Sequence, residues 1–342
     1  MTRTAIYLDR NENNYGPAPA CYEILRKADL SQLSWYDRSF NRGIKGLLSD
    51  RLARDFGVPE DRVLLGYGAE HILKQAIQCY LAKGKKLMVP AYSWWYYKKI
   101  ASEVDGLSVE FPMTVGEDRF LYDLPAMREV YARERPSVVF ISSPNNPTGN
   151  SLPAADLEAI LGDFRESVVV LDEAYVFGTT TGYVRDLIDA NPNLLVVRTM
   201  SKYYALAGVR IGFALMGKGL TPLARFSNRY LGYNRLSEVL AVAALDSPEY
   251  YREIAGKMNE DKERYYAALG RLPGFRVFRS DANFILAEIP PAQKAGLKAF
   301  LEERGLFLKF MDETLLNTHV RITIGTQEEN RLVLDAITSY YD

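Results

Sequence analysis

The sequence predicts an α/β fold: a large domain with a mainly parallel central sheet, followed by a smaller α+β domain. Two observations carry this. Short apolar runs at Lys86–Val89, Val138–Ser142, Val168–Leu171, Leu194–Arg198 and Val209–Leu215 alternate with amphipathic stretches through the middle of the chain. Strands spaced by helices form parallel sheets covered on their faces. From about Asn228 the pattern changes, and a long helical reach from Leu236 to Ala267 leads through Leu272-Pro273-Gly274 into shorter segments. Those are strand-like at Arg276–Phe278 and Asn283–Ile289, helical near Ala292–Arg304 and strand-like again around Arg321. The expected division is 31–235 for the large domain and 236–342 for the small one, with the bridging helix blurring the boundary. At 342 residues and 48% hydrophobic content the chain has material for both cores.

Composition excludes several function classes. A net charge of −1 gives no pull toward nucleic acid or an anionic membrane surface. The apolar runs are too short to span a bilayer, and the first residues lack an apolar signal region. Cys21 and Cys79 provide neither a disulfide framework nor a metal-ligand spacing, and His71 and His319 are the only histidines. No metal site is expected, and a reduced, cytoplasmic setting fits.

The chemistry concentrates where Leu194–Arg198 ends. The run continues through Thr199, Ser201 and Lys202 and, after a turn of small residues, reaches Arg210. Hydroxyls and a guanidinium clamp a phosphate dianion by charge-assisted hydrogen bonds. A lysine whose charge is depressed by a neighbouring cation forms a Schiff base with an aldehyde. An aldehyde that carries a phosphate is pyridoxal 5′-phosphate, the electron sink of amino-acid chemistry. Two further segments suit that cofactor. Val138–Ser142 runs into Ser143-Pro144-Asn145-Asn146-Pro147-Thr148-Gly149, with a helix beginning near Pro153, and Val168–Leu171 ends in Asp172-Glu173-Ala174-Tyr175. Ligands of parallel sheets sit outside the carboxyl ends of the strands, so Asn146, Asp172 and Lys202 are expected to face one crevice. A carboxylate at the pyridine nitrogen keeps it protonated, and Asn146 and Tyr175 suit the ring's 3-hydroxyl.

In this order and spacing, Ser-Pro-Asn-Asn-Pro-Thr-Gly, Leu-Asp-Glu-Ala-Tyr, Thr-Met-Ser-Lys and Ala-Gly-Val-Arg-Ile-Gly resemble the fold-type I pyridoxal-phosphate aminotransferases of class I/II. Within them the likeness is nearest to the histidinol-phosphate aminotransferase branch. Asn11-Glu12-Asn13-Asn14-Tyr15-Gly16-Pro17 is similar to that branch's opening motif, and Val320-Arg321-Ile322-Thr323-Ile324-Gly325-Thr326 to its closing one. The resemblance runs from about residue 8 to about residue 326. Any one motif is weak, but together and in register they are specific.

The resemblance implies roles one residue at a time. Lys202 matches the Schiff-base lysine, Asp172 the pyridine-nitrogen partner, and Asn146 and Tyr175 the 3-hydroxyl contacts. Thr199, Ser201 and Arg210 match the phosphate cup, completed by backbone N–H groups of Gly68, Ala69 and Glu70 where a helix opens. His71 stands where the family commonly has a carboxylate. Tyr92 takes the place of the aromatic that stacks on the ring, with core packing the alternative, since Trp94, Trp95, Tyr96 and Tyr97 crowd the same stretch. Trp95 replaces a tyrosine of the branch, which is compatible with a pocket for an aromatic or imidazole side chain. Arg321 is expected to grip the substrate's anion, a carboxylate or a phosphate, with Tyr15 and Asn146 beside it. The resemblance also implies an arm over residues 1–30 packed on the small domain. It further implies a homodimer in which Tyr36 reaches the partner's cofactor, although Tyr36-Asp37-Arg38 departs from the family's Tyr-Pro-Asp. The expected activity is ping-pong amino transfer from histidinol phosphate or an amino acid to a 2-oxo acid. A phosphate-recognising lyase such as threonine-phosphate decarboxylase and a non-catalytic fold relative are the alternatives.

Overall fold

The computed structural model describes residues 5–178, 181–227 and 231–341. In chain order it begins with β1 (Ile6–Leu8), α1 (Pro19–Arg26), α2 (Leu47–Phe56), β2 (Val63–Gly66), α3 (Ala69–Tyr80), β3 (Lys86–Pro90), α4 (Tyr96–Ser102) and β4 (Leu107–Phe111). A hairpin of β5 (Met113–Val115) and β6 (Phe120–Tyr122) precedes α5 (Leu124–Glu134), β7 (Val138–Ser142), α6 (Ala154–Asp163) and β8 (Val168–Asp172). Next come α7 (Gly182–Ala190), β9 (Leu194–Thr199), β10 (Gly212–Met216), α8 (Thr221–Ala224), α9 (Arg235–Leu245) and α10 (Pro248–Leu269). The chain closes with β11 (Arg276–Phe278), β12 (Phe284–Glu288), α11 (Lys294–Glu302), β13 (Leu306–Phe310), β14 (His319–Thr323) and α12 (Gln327–Tyr341).

The large sheet has seven strands in the order β2-β10-β9-β8-β7-β3-β4. β10 alone runs against its neighbours, pairing antiparallel with both β9 and β2. Its central strands read as continuous apolar runs because both faces are covered. Leu87, Val89, Phe140, Val170, Leu195 and Val197 meet the side chains of α3 and α4 on one face. Met88, Val139, Ile141, Leu171, Leu194 and Val196 belong to the larger core on the other. The second sheet, β1-β13-β14-β12-β11, has its own core with α10, α11 and α12. Its outermost strand comes from the chain's beginning: β1 pairs parallel with β13, and Tyr7 stacks on Phe307 at 4.9 Å.

Two expected elements differ. The reach from Leu236 to Ala267 is two helices, because Pro248 opens α10 and disfavours the helical conformation in the residue before it. Ser247 accordingly sits at φ −119°, ψ 47°. The segment from Val209 begins as a short turn over Ala207–Val209, and Arg210 follows in the left-handed region at φ 56° before β10 starts at Gly212.

A buried ion pair ties β8 to β9. Arg198 Nε donates to Glu173 Oε2 at 2.7 Å and Nη2 to the Tyr183 hydroxyl at 3.0 Å, and that hydroxyl also bonds Glu173. Removing one partner leaves the other's buried charge unpaired, which costs ~3–5 kcal/mol. Glu173→Ala is therefore expected to lower the unfolding free energy by about that amount in urea titrations. Adding Arg198→Met to it should recover much of the loss.

Candidate active site

The ends of β7, β8 and β9 deliver the chemistry-bearing residues to one crevice, and β14 of the small sheet closes it from the far side. Asp172 ends β8 as a buried carboxylate with no ion pair among the described residues. Its Oδ2 accepts from the Tyr97 hydroxyl at 2.5 Å and its Oδ1 from the Ala174 N–H at 3.0 Å. Burial raises its pKa, against the lowering effect of those two hydrogen bonds.

Tyr175, in the turn after β8, is buried with its ring edge on Phe284 at 5.2 Å. Its hydroxyl oxygen accepts from Asn11 Nδ2 at 3.2 Å and Asn146 Nδ2 at 3.3 Å. Burial raises the phenol's pKa, while Arg321 and the Asn11 bond oppose the rise.

Arg321 lies in the middle of β14 with its side chain buried. Nη1 donates to Asn146 Oδ1 at 2.6 Å and Nη2 to the Asp9 carbonyl at 2.6 Å, while Nε has no partner. No carboxylate is ion-paired to it among the described residues, and a buried cation with an unused donor is a receptor for an anion. Its charge reaches Lys202, whose pKa falls to about 8, first through burial and then through Arg321, with Arg210 adding and Glu12 opposing. Lys202 Nζ donates to the Arg10 carbonyl at 2.8 Å and lies 5.7 Å from the centre of the Tyr175 ring. The arm's backbone thus supplies an oxygen to each of the two cations.

Beside Lys202, Thr199 Oγ1 donates to Ser201 Oγ at 2.9 Å and accepts from the Ser201 N–H at 3.1 Å. The Arg210 guanidinium reaches back to the carbonyls of Tyr67 at 3.4 Å and Ala207 at 3.1 Å. Gly68 sits at φ 83°, and a Cβ there would come within 2.6 Å of Arg210 Nη2. Gly212 is equally constrained, since its Cβ would lie 2.6 Å from the Ala69 nitrogen. These glycines let Arg210 and β10 close on the start of α3, where first-turn N–H groups have no partner within the helix. The result is a cradle of hydroxyls, a guanidinium and a helix N-terminus, a donor set for a phosphate. The Glu70 side chain turns away from it to accept from the Tyr96 hydroxyl at 2.6 Å, leaving its backbone there. The side chain of His71 accepts from the Tyr67 N–H at 3.3 Å.

Three candidates stand apart. Tyr92 is half-buried, packing edge-on against Phe120 at 5.1 Å, and its carbonyl accepts from Asn145 Nδ2 at 2.6 Å. Tyr15 is not brought to this crevice. A turn closed by Gly16 N–H to Asn13 O at 3.2 Å swings it onto the core of the second sheet, where Lys257 lies 5.9 Å from its ring centre. Tyr36 is 68% exposed, with its carbonyl held by Arg235 at 3.3 Å, and meets none of these groups within one chain.

Sequence reasoning does not single out Asn11 or Tyr97. Asn11 is buried at φ 55° and bonds Tyr175, Thr323 and Asn283, so it ties the arm, β14 and the crevice together. Its place in Asn11-Glu12-Asn13 is the available signal; Tyr97, one aromatic among several, carries none. The aromatic crowding itself divides: Tyr97 and Trp94 pack into the core beneath α3 and α4, and Trp95 is 53% exposed. No described helix is long and apolar enough to cross a membrane.

Comparison with known proteins matches residues 4–337 to the family model "Aminotransferase class I and II". The chain belongs to that aminotransferase family. It is 31% identical to the histidinol-phosphate aminotransferase of Ruminiclostridium cellulolyticum, over 97% of this chain and 91% of that protein. Histidinol-phosphate aminotransferase 2 of Nitrosococcus oceani is 34% identical over 97% of this chain and 91% of its own length. Among solved structures, the histidinol-phosphate aminotransferase of Sinorhizobium meliloti in complex with pyridoxal-5′-phosphate superposes with a TM-score of 0.85. It is 24% identical and covers 99% of this chain and 92% of that one, a likeness of fold. The L-threonine-O-3-phosphate decarboxylase of Porphyromonas gingivalis has the same fold at a TM-score of 0.80, with 21% identity and coverage of 98% and 99%. This aminotransferase's own residues fit pyridoxal phosphate: an amine near neutrality, a buried carboxylate with no cation, a phenol and an amide side by side, and a phosphate cradle.

Depression of the Lys202 pKa is measurable without cofactor. Acylation of Lys202 in the cofactor-free protein should titrate with a midpoint near pH 8, and Arg321→Met should move it upward. Because the folded state holds fewer protons than the unfolded chain from about pH 8 to the ordinary lysine value of 10.5, this group's contribution to stability rises with pH across that window. A midpoint at the ordinary lysine value would refute the assignment.

Proposed function

We propose that this pyridoxal-phosphate-dependent aminotransferase takes its amino group from histidinol phosphate and passes it to a 2-oxo acid in a ping-pong cycle. The observation that carries the reading is Arg321, a buried guanidinium with a free Nε beside an amine near neutrality. It suits a donor bearing one anion and a reactive amine. Both a phosphate and a carboxylate satisfy that geometry. The choice of phosphate is supported by the curated relatives, which are named histidinol-phosphate aminotransferases at 31% and 34% identity. The decarboxylase alternative is supported by a likeness of fold alone.

The residues divide the work as follows. When bound, pyridoxal phosphate supplies an aldehyde that exchanges amino groups and a ring that withdraws electrons from the substrate's amine-bearing carbon. Lys202 would hold the aldehyde carbon of the bound cofactor, and its amine, with a pKa lowered to about 8, would be the group that accepts and returns a proton at the substrate's amine-bearing carbon. Asp172 holds the proton on the pyridine nitrogen. Tyr175 and Asn146 bond the 3-oxygen, and Asn146 also orients Arg321, which holds the substrate's anion. Thr199, Ser201, Arg210 and the N–H groups from Gly68 to Glu70 would anchor the phosphate, and Tyr92, packed against Phe120 with its carbonyl on Asn145, would cover the ring.

We propose further that the working unit is a cytoplasmic homodimer. Leu30, Leu33, Trp35, Tyr36 and Phe40 are all exposed within one short stretch, an apolar patch that a second copy would cover. The exposure of Tyr36 within that patch supports the reading that it would reach a partner's phosphate cradle. Both thiols are free, as in a reducing compartment. Within each copy, residues 1–30 serve as the arm, 31–235 as the cofactor domain and 236–342 as the small domain.

Histidinol phosphate, mixed with the cofactor-loaded protein, should convert it to the amine form within one turnover, seen as loss of the visible-edge absorbance. Histidine and alanine should do so at least about tenfold more slowly, and Arg321→Met should remove the preference. Faster conversion by carboxylate donors would mean that Arg321 reads a carboxylate, and carbon dioxide release from threonine phosphate would favour the lyase. Sedimentation equilibrium should give twice the chain mass, and Tyr36→Phe should weaken cofactor retention while the dimer persists. A monomer that retains the cofactor fully would remove the dimer reading.

A further inference from the structure

Tyr97 makes a contact that no sequence motif announces. It is 1% exposed on α4, with its ring edge-on to Phe140 at 5.1 Å and to Trp94 at 5.7 Å. The ring is therefore fixed by packing, and its hydroxyl donates to Asp172 Oδ2, 2.5 Å away, with the Ser142 side chain as a second hydrogen-bond partner. The rest of the carboxylate's surroundings are equally defined. Oδ1 holds the Ala174 N–H, and no cation pairs with either oxygen among the described residues. The other ionisable groups acting on Asp172 or influenced by it are Glu173, which is paired to Arg198, and the phenols of Tyr122 and Tyr175. The Tyr122 hydroxyl donates to the Ser142 carbonyl, which leaves Tyr97 as the one side-chain donor on Asp172 among the described residues.

We propose that Tyr97 is a positioning residue for the amino-transfer chemistry: its hydroxyl holds Asp172 ionised and fixes the direction of the carboxylate toward the pyridine nitrogen. The proposal rests on the reading of Asp172 as that nitrogen's partner. A buried carboxylate with no cation is costly, and protonation is the easiest relief. A protonated Asp172 cannot hold a proton on the ring. One short charge-assisted hydrogen bond from a phenol opposes that relief without introducing a positive charge that would compete with the pyridinium. The proton stays with the phenol, because burial and the adjacent carboxylate both push the Tyr97 pKa well above its ordinary value. By drawing density from Oδ2, the same bond also moderates how strongly Asp172 binds the ring proton. Tyr97 thereby sets both the geometry and the strength of the ring's electron withdrawal.

The test is made first on the cofactor-free protein. Asp172 is titrated by its carboxyl ¹³C resonance, assigned as the one missing in Asp172→Asn. Tyr97→Phe should raise the protonation midpoint of Asp172 by one pH unit or more, a tenfold or larger gain in proton affinity, as expected for losing a hydrogen bond to a charged group. Cofactor affinity in the variant should then fall away at a correspondingly higher pH than in the parent. 3-Fluorotyrosine installed at position 97 keeps the ring and strengthens the donor, so it should move the midpoint the other way. That arm also decides the matter if the phenylalanine variant does not fold. An unmoved midpoint in both variants would overturn the proposal. If Asp172→Asn leaves the affinity and pH dependence of cofactor binding unchanged, the underlying reading of Asp172 fails instead.

Discussion

Arg321 is a guanidinium set into the middle of a buried strand with no carboxylate bonded to it among the described residues, and much of the molecule is arranged around that fact. A charge removed from water must be met by oxygens, and the nearest come from two other parts of the chain: the Asp9 carbonyl of the arm and Asn146 Oδ1 from the loop after β7. Satisfying it therefore joins three pieces far apart in sequence. The parallel pairing of β1 with β13 brings the arm alongside. Asn11, in its left-handed conformation, then turns the chain so that its amide meets Tyr175 and its backbone meets Thr323 and Asn283. The second sheet is tied to the loops of the seven-stranded sheet by polar groups that line the crevice.

Asp172 is the complement of this arrangement. It is a buried anion with neutral donors, as Arg321 is a buried cation with neutral acceptors, and the two are not paired with each other. An ion pair between them would have been the cheaper solution and would have left no field in the crevice. Keeping them apart leaves one end poised for a cation and the other for an anion. Burial, and after it the same Arg321 that awaits an anion, brings the Lys202 pKa down to about 8. The stability lost in burying separated charges is offset by the largely apolar strands beneath, in which every residue of β7 and β10 is buried.

What was legible in the sequence was local. Val138–Ser142, Val168–Leu171 and Leu194–Arg198 are apolar on both faces, so they read as central strands, and the polar residue after each falls at the carboxyl end where a ligand binds. The antiparallel course of β10 was not legible, because a strand's direction depends on the turn before it. That turn holds Arg210 in the left-handed region, where only the fold's close approach of Gly68 and Gly212 makes sense of it. The break before Pro248 was legible in principle, since a proline inside a helical pattern ends it. Tyr15 was misplaced for a related reason. It shares a motif with Asn11 and Asn13, but it packs on the core of the second sheet, next to the turn closed by Gly16. Tyr97 was hidden by its neighbours: nothing in Trp94-Trp95-Tyr96-Tyr97 says which ring is core, which is exposed and which hydroxyl finds a carboxylate.

These misses share a cause, and it bears on how such a site stays functional while its sequence drifts. Residues that would touch a cofactor are confined to strand ends and turns, where spacing alone betrays them. Residues that hold those groups in place reach them across the fold: Tyr97 lies 75 residues from Asp172, and Asn11 lies 164 from Tyr175. Such partners need only present a donor at the right point, and packing decides that point. The phenol of Tyr97 serves Asp172 because Phe140 and Trp94 fix its ring from two sides, each edge-on. A different packing of the same face would serve with a different donor. The support of this site is thus a property of the core under α3 and α4, from which Tyr97 reaches the Asp172 carboxylate.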